Sequence, residues 1–183
     1  MKNTQRNRTK LQTKRLALSA ILASLGVVIL YLGSIIEVLD LSMAAIASLL
    51  TVLAVIEMGG AYPYLIYGVT AVLSFLLLPN KFPAVLYLLF AGIYPMLKAR
   101  FERLHYIVAW VLKISCFGTA LLLVITVSNY VLHLPDTGLG FSLGVFALGT
   151  LTFVIYDIAL SRLITFYLVK LRSRLGLKNY FEN

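Results

Sequence analysis

The stretch LALSAILASLGVVILYLGSII, Leu16–Ile36, runs for 21 residues without an Asp, Glu, Lys or Arg. A hydrocarbon core about 30 Å thick is crossed by roughly 20 helical residues rising 1.5 Å each. The run is therefore long enough to cross a bilayer, and it is apolar all round. A membrane β-barrel would instead show strands of about ten residues alternating apolar and polar. Five further runs read the same way: Leu41–Met58, Ala61–Leu78, Pro83–Leu97, Tyr106–Leu132 and Phe141–Val169. The expected fold is an all-α membrane protein, a bundle of six transmembrane helices.

The breaks between runs are polar or turn-forming. Glu37 and Asp40 close the first, Gly59 and Gly60 the second, and Pro63 suits the opening turn of the next helix. Pro79–Pro83, Arg100–His105 and His133–Gly138 form the remaining connections. Apolar residues make up 61% of the 183-residue chain, which leaves little for a water-facing domain. The organisation expected is a basic tail over 1–15, one transmembrane domain over 16–170 and a second basic tail over 171–183.

Charge orients the bundle. Of 16 Lys and Arg, the amino-terminal tail, the Lys98–Arg103 connection and the carboxyl-terminal end together hold 13, all on one side of six spans. The other side has Lys81 with Glu37, Asp40 and Asp136. Basic loops stay cytoplasmic, so both termini are expected inside a multi-pass protein of a bacterial cell membrane. The net charge of +9 is read as topology and contact with the lipid bilayer, not as a nucleic-acid interface. The first run exceeds the 7–15 apolar residues usual for a secretion signal and is read as a retained helix.

Most enzyme chemistry is absent from the sequence. No HExxH, nucleophile elbow or phosphate-binding Gly-Lys-Ser/Thr loop occurs. His105 and His133 fall on opposite sides, and Cys116 is a lone cysteine. No enzyme activity, metal or cofactor is expected.

Three charges fall inside spans: Lys113, Asp157 and Arg162. An unpaired charge there costs at least a few kcal/mol, so these groups should face the interior and pair. Asp157 is the natural partner of Lys113 or Arg162, as a structural salt bridge or as a relay. Small residues crowd the first run, where Ser19 with Ala23 and Ala20 with Ser24 lie four apart on shared faces. Such faces admit a second helix closely, either within the bundle or from a separate membrane protein. The second run repeats the feature with Ala44, Ala47, Ser48 and Thr51.

The chain resembles the substrate-binding component of energy-coupling factor vitamin transporters. The resemblance rests on the basic tail entering KRLALSAILA (Lys14–Ala23), on the segments Ala47–Gly60 and Tyr67–Ser74, and on the overall plan of six spans and two basic ends. It implies capture of a vitamin or related micronutrient on the outer side. It also implies a coupling membrane protein and ATPases as partners, the coupling protein docking on small residues of the first helix in the form Ala-x-x-x-Ala. That strict form is absent, and Ala20-x-x-x-Ser24 and Ser19-x-x-x-Ala23 are the nearest matches.

Aromatic and polar groups near the outer ends are the candidate solute contacts: Tyr31, Glu37, Asp40, Asn80, Lys81, Tyr87, Asn129, Tyr130, His133 and Asp136. Each has an ordinary alternative as a membrane-surface anchor or a solvated loop residue. Two further function classes are open: a non-transporting scaffold resembling small multi-span proteins of the bacterial cell-shape machinery, and an ion-coupled carrier using the three intramembrane charges. Reporter fusions at the two chain ends are expected to place both in the cytoplasm, and ends on different faces would break the six-span scheme.

Overall fold

The computed structural model describes residues 2–128 and 143–171, and all regular structure among them is helical. Helix α1 spans Lys2–Ile35, and a short 3-10 turn, Glu37–Leu39, leads into α2, Asp40–Glu57. Helix α3 is Tyr62–Leu77. Helix α4, Phe82–Leu86, passes through a π-helical turn, Tyr87–Ala91, to α5, Tyr94–Phe101. Helix α6 is Tyr106–Thr126, and α7, Leu143–Phe166, ends in a second π-helical turn, Tyr167–Leu171.

Five helical segments are long and apolar enough to cross a membrane: Thr9–Ile35, Asp40–Glu57, Phe82–Phe101, Tyr106–Thr126 and Phe146–Lys170. The third run expected from the sequence is the shorter helix α3, whose 16 residues cover about 24 Å. The amino-terminal tail is not separate from the first helix. No Gly or Pro occurs before Gly26, and Lys, Arg, Gln and Leu are good helix formers, so α1 continues outward through its basic segment.

The fourth run differs most from a plain helix. Pro95 lacks an N–H and its ring crowds the carbonyl four residues back, so a regular helix cannot pass through it. The backbone answers by widening one turn, where Gly92 N–H reaches back to the Tyr87 carbonyl at 2.8 Å. It then restarts at Tyr94 with Pro95 in the first turn, where a missing N–H costs nothing.

Small residues bring the helices together. Ala23 of α1 packs with Ala54, Met58 and Ile66 at one end, and Leu30 packs with Ala44, Ala47, Ala71, Leu78, Ala84 and Tyr87 toward the other. A third cluster joins Val52, Tyr94, Phe153 and Leu160, with Phe117 stacked on Phe153 at 4.7 Å. The turn after α2 depends on two consecutive left-handed residues, Gly59 at φ 60° and Gly60 at φ 59°, a conformation that side chains with a Cβ resist.

Contacts across the bundle place its two ends. Ser19 Oγ meets Met58 Sδ at 3.6 Å, the Tyr167 hydroxyl donates to Glu57 at 3.0 Å, and the Arg15 guanidinium lies over the Tyr62 ring at 6.0 Å. The basic part of α1, the close of α2, the opening of α3 and the close of α7 therefore share one end. Asp40, Asn80 and Lys81 lie at the other, where Asn80 Nδ2 donates to Asp40 at 3.3 Å.

Gly92 lies against two rings. A Cβ there would stand 2.6 Å from Tyr67 and 2.7 Å from Tyr87. Gly92→Ala is expected to destabilise the bundle by about 1–3 kcal/mol, the usual range for overpacking, read as a lower thermal midpoint in detergent. Gly68→Ala is the control, since nothing lies within 4 Å of its Cβ, and it should leave the midpoint unchanged or raised.

Candidate functional site

At the basic end, three charged side chains and a tyrosine hydroxyl gather around one carboxylate, that of Asp157. Asp157 sits inside α7 and is 2% exposed. Its Oδ1 accepts from Lys98 Nζ at 2.5 Å and from the Tyr94 hydroxyl at 2.5 Å, both on α5. Its Oδ2 accepts from Lys113 Nζ of α6 at 2.9 Å. Glu102, just past α5, lies 2.8 Å from Lys98 and 3.3 Å from Lys113.

Helical spacing delivers these groups. Tyr94, Lys98 and Glu102 recur every four residues and so lie along one face of the chain. Asp157 and Ser161 are likewise four apart on α7. Ser161 Oγ donates to the Asp157 carbonyl at 2.9 Å and receives Lys98 Nζ at 2.8 Å. The three N–H donors of Lys98 thus find Asp157, Glu102 and Ser161, which satisfies a lysine that is 1% exposed. Lys113 also lies over the Trp110 ring at 5.4 Å. Two lysines against two carboxylates leave the group neutral, the condition under which charges are tolerated away from water.

Two separate hydroxyl pairs lie beyond this cluster, on the side of α2. Tyr156, next to Asp157, shares a hydrogen bond with Ser48 at 2.7 Å, and one turn along α2 Thr51 shares one with Tyr87 at 2.9 Å. The small polar residues of α2 are thereby engaged inside the bundle. A cleft of about 380 Å³ opens beside the cluster between α6 and α7, with Trp110, Lys113, Asp157 and Arg162 in its lining.

Of the three charges singled out in the sequence, Lys113 and Asp157 come together and Arg162 does not. It is exposed at the cleft rim and makes no ion pair with a described residue. Lys98 takes the place expected for it. Counted among the basic residues of a connection, Lys98 proves to be on a helix and buried. Its spacing from Tyr94 and Glu102 was the available signal. Glu57, near the close of α2, takes the Tyr167 hydroxyl.

The outer-end candidates do not gather around one cavity among the described residues. Tyr31 is exposed on α1, and Tyr87 is buried with its hydroxyl on Thr51. Asp40 is buried and bound by Asn80, whose Oδ1 accepts from Phe82 N–H at 2.9 Å. Lys81 Nζ turns back onto the Leu78 carbonyl at 2.6 Å at the close of α3, where cations are favoured. Glu37 lies in the turn before α2, and its side chain is outside the described residues. Asn129, Tyr130, His133 and Asp136 also lie outside them.

The small residues of α1 divide between two faces. Ser19 and Ala23 are buried against α2 and α3, whereas Ala20 and Ser24 are exposed. Comparison with protein-family models, curated proteins and solved structures returns no match to this chain.

Asp157→Ala removes the acceptor of two buried lysines and is expected to cost about 3–5 kcal/mol, as breaking a buried pair does. A thermal midpoint in detergent reads the loss. Adding Lys113→Met to Asp157→Ala removes one stranded charge and should recover part of it. Additive losses in the double variant would argue against direct coupling.

Proposed function

We propose that the chain is the solute-binding membrane component of a transport complex, energised by a separate coupling protein and ATPases, with a vitamin or related micronutrient as its substrate. In this proposal it crosses a bacterial cell membrane six times with both ends in the cytoplasm. Helix α3 makes the sixth crossing, helped by its route from the basic end, beside Arg15, to Asn80 and Lys81 at the other. A helix of about 24 Å fits a bilayer by local thinning or by standing nearly upright. The basic end then faces the inner leaflet, as the distribution of Lys and Arg favours.

The observation that carries the proposal is the division of α1. One small-residue face, Ser19 and Ala23, is used inside the bundle, while Ala20 and Ser24 stay uncovered. Lipid makes no demand for small side chains, but a second helix does, because close backbone approach is what holds helices together in a bilayer. A component energised by partners needs such an uncovered face.

A second reading, the non-transporting scaffold, is favoured by the packing toward the outer end. Leu30, Ala44, Ala47, Ala71, Leu78, Ala84 and Tyr87 fill the space between helices there. The scaffold would hold partners through the same exposed face of α1 without taking up a solute.

Purified chain screened against a vitamin panel tests the choice. One vitamin is expected to raise its thermal midpoint, and co-expression with a coupling protein and ATPases should yield a complex that Ala20→Leu with Ser24→Leu disrupts while solute binding persists. No solute response across the panel, together with a cell-shape defect on deletion of the gene, would favour the scaffold instead.

A further inference from the structure

We propose that the cleft between α6 and α7 at the basic end is a binding site for the headgroup of an anionic phospholipid, with Arg162 holding its phosphate. Helix α6 lines the cleft with Tyr106, Ala109, Trp110 and Lys113, spaced as one helical face, and α7 lines it with Asp157, Ile158, Ser161 and Arg162. Its volume of about 380 Å³ suits a headgroup-sized ligand.

Charge selects the ligand. The floor holds Lys113 and Asp157, and Lys98 stands behind them. Glu102 at the mouth could repel an anion, but its carboxylate is held by both lysines. These four charges cancel. Arg162 adds one exposed cation with no described ion-pair partner, so the cleft carries a surplus of a single positive charge at its rim. A phosphodiester headgroup with one net negative charge is its complement, and guanidinium matches phosphate by paired N–H donors.

The surroundings select a lipid over a soluble anion. Ile107, Val111 and Ile114, next in sequence to the lining residues of α6, and Ile155 with the lining residue Ile158 on α7 are exposed large hydrophobic residues. They let acyl chains lie alongside the cleft. Tyr106, 74% exposed, and Trp110 stand at its entrance, the residue types that settle at headgroup depth. Basic sites between transmembrane helices on the cytoplasmic side are where anionic headgroups bind.

Trp110 is the sole tryptophan of the chain and lines the cleft, so its fluorescence reports occupancy directly. The full chain is reconstituted in phosphatidylcholine vesicles carrying small fractions of brominated phosphatidylglycerol or brominated phosphatidylcholine. The anionic quencher is expected to act at about five-fold lower mole fraction, the size of one basic contact near a membrane surface. Arg162→Gln should abolish that preference and Arg162→Lys should keep most of it. Arg100→Gln, a change at an exposed basic residue of the same end outside the cleft lining, should leave it intact. Equal quenching by the two lipids in the unaltered chain overturns the proposal. So does an equal loss with Arg100→Gln, which would mean a diffuse surface charge. Release of the anionic quencher by inorganic phosphate, but not by chloride at matched ionic strength, would assign the site to a soluble anion and overturn the lipid.

Discussion

A carboxylate far from water has to be met by cations, and Asp157 is met by two. Lys98 arrives from α5 and Lys113 from α6, while Tyr94 donates to the same oxygen as Lys98. Each of these groups alone would be costly at this depth, so the helices are held at the one mutual register in which all are paired. The remaining contacts at this end are consistent with that register. The aromatic cluster of Tyr94, Phe153, Phe90 and Phe117 packs beside the charges, and Ser48 and Thr51 of α2 take up the tyrosine hydroxyls that would otherwise be stranded.

Many of the polar groups buried in the bundle pair in one of two ways, although Ser74 Oγ and Ser128 Oγ make no hydrogen bond among the described residues. At the basic end they form a charge network joining helices distant in sequence. Toward the opposite end, Asn80 accepts from Phe82 N–H and Lys81 returns to the helix it follows, both local bonds, while Asn80 also reaches Asp40 at the start of α2. The first kind fixes how α5, α6 and α7 sit against one another. The second shapes the passage between α3 and α4. Between these two regions the contact surfaces are built mainly from alanine, serine and threonine, which suits helices packed in lipid, where apolar bulk gives no preference for protein over bilayer.

The helical class and the approximate runs were legible because lipid forces backbone hydrogen bonds inside each segment, and length and apolarity report that need directly. The Asp157–Lys113 pair was legible for the related reason that a charge inside a span must find its opposite. Lys98 was hidden by its position in a polar stretch, where composition suggested a connection and only the spacing of Tyr94, Lys98 and Glu102 suggested a helix face. The break at Gly92 was signalled by Pro95, although nothing in the residue types says that the chain would widen a turn instead of kinking. The inner and outer faces of α1 were inseparable in sequence, because Ser19–Ala23 and Ala20–Ser24 are equally small pairs at equal spacing. Which pair turns inward depends on tertiary packing against Met58 and Ile66.

The widened turn at Tyr87–Ala91 acts as a phase setter for the polypeptide that follows. Adding one residue to a helical turn rotates everything beyond it by about 100° around the axis. Lys98 lies beyond that turn and meets Asp157. An insertion or deletion in these few positions would therefore turn the Lys98 ammonium away from its carboxylate partner in a single step. Length variation should be far less tolerated here than in the segments joining the helices.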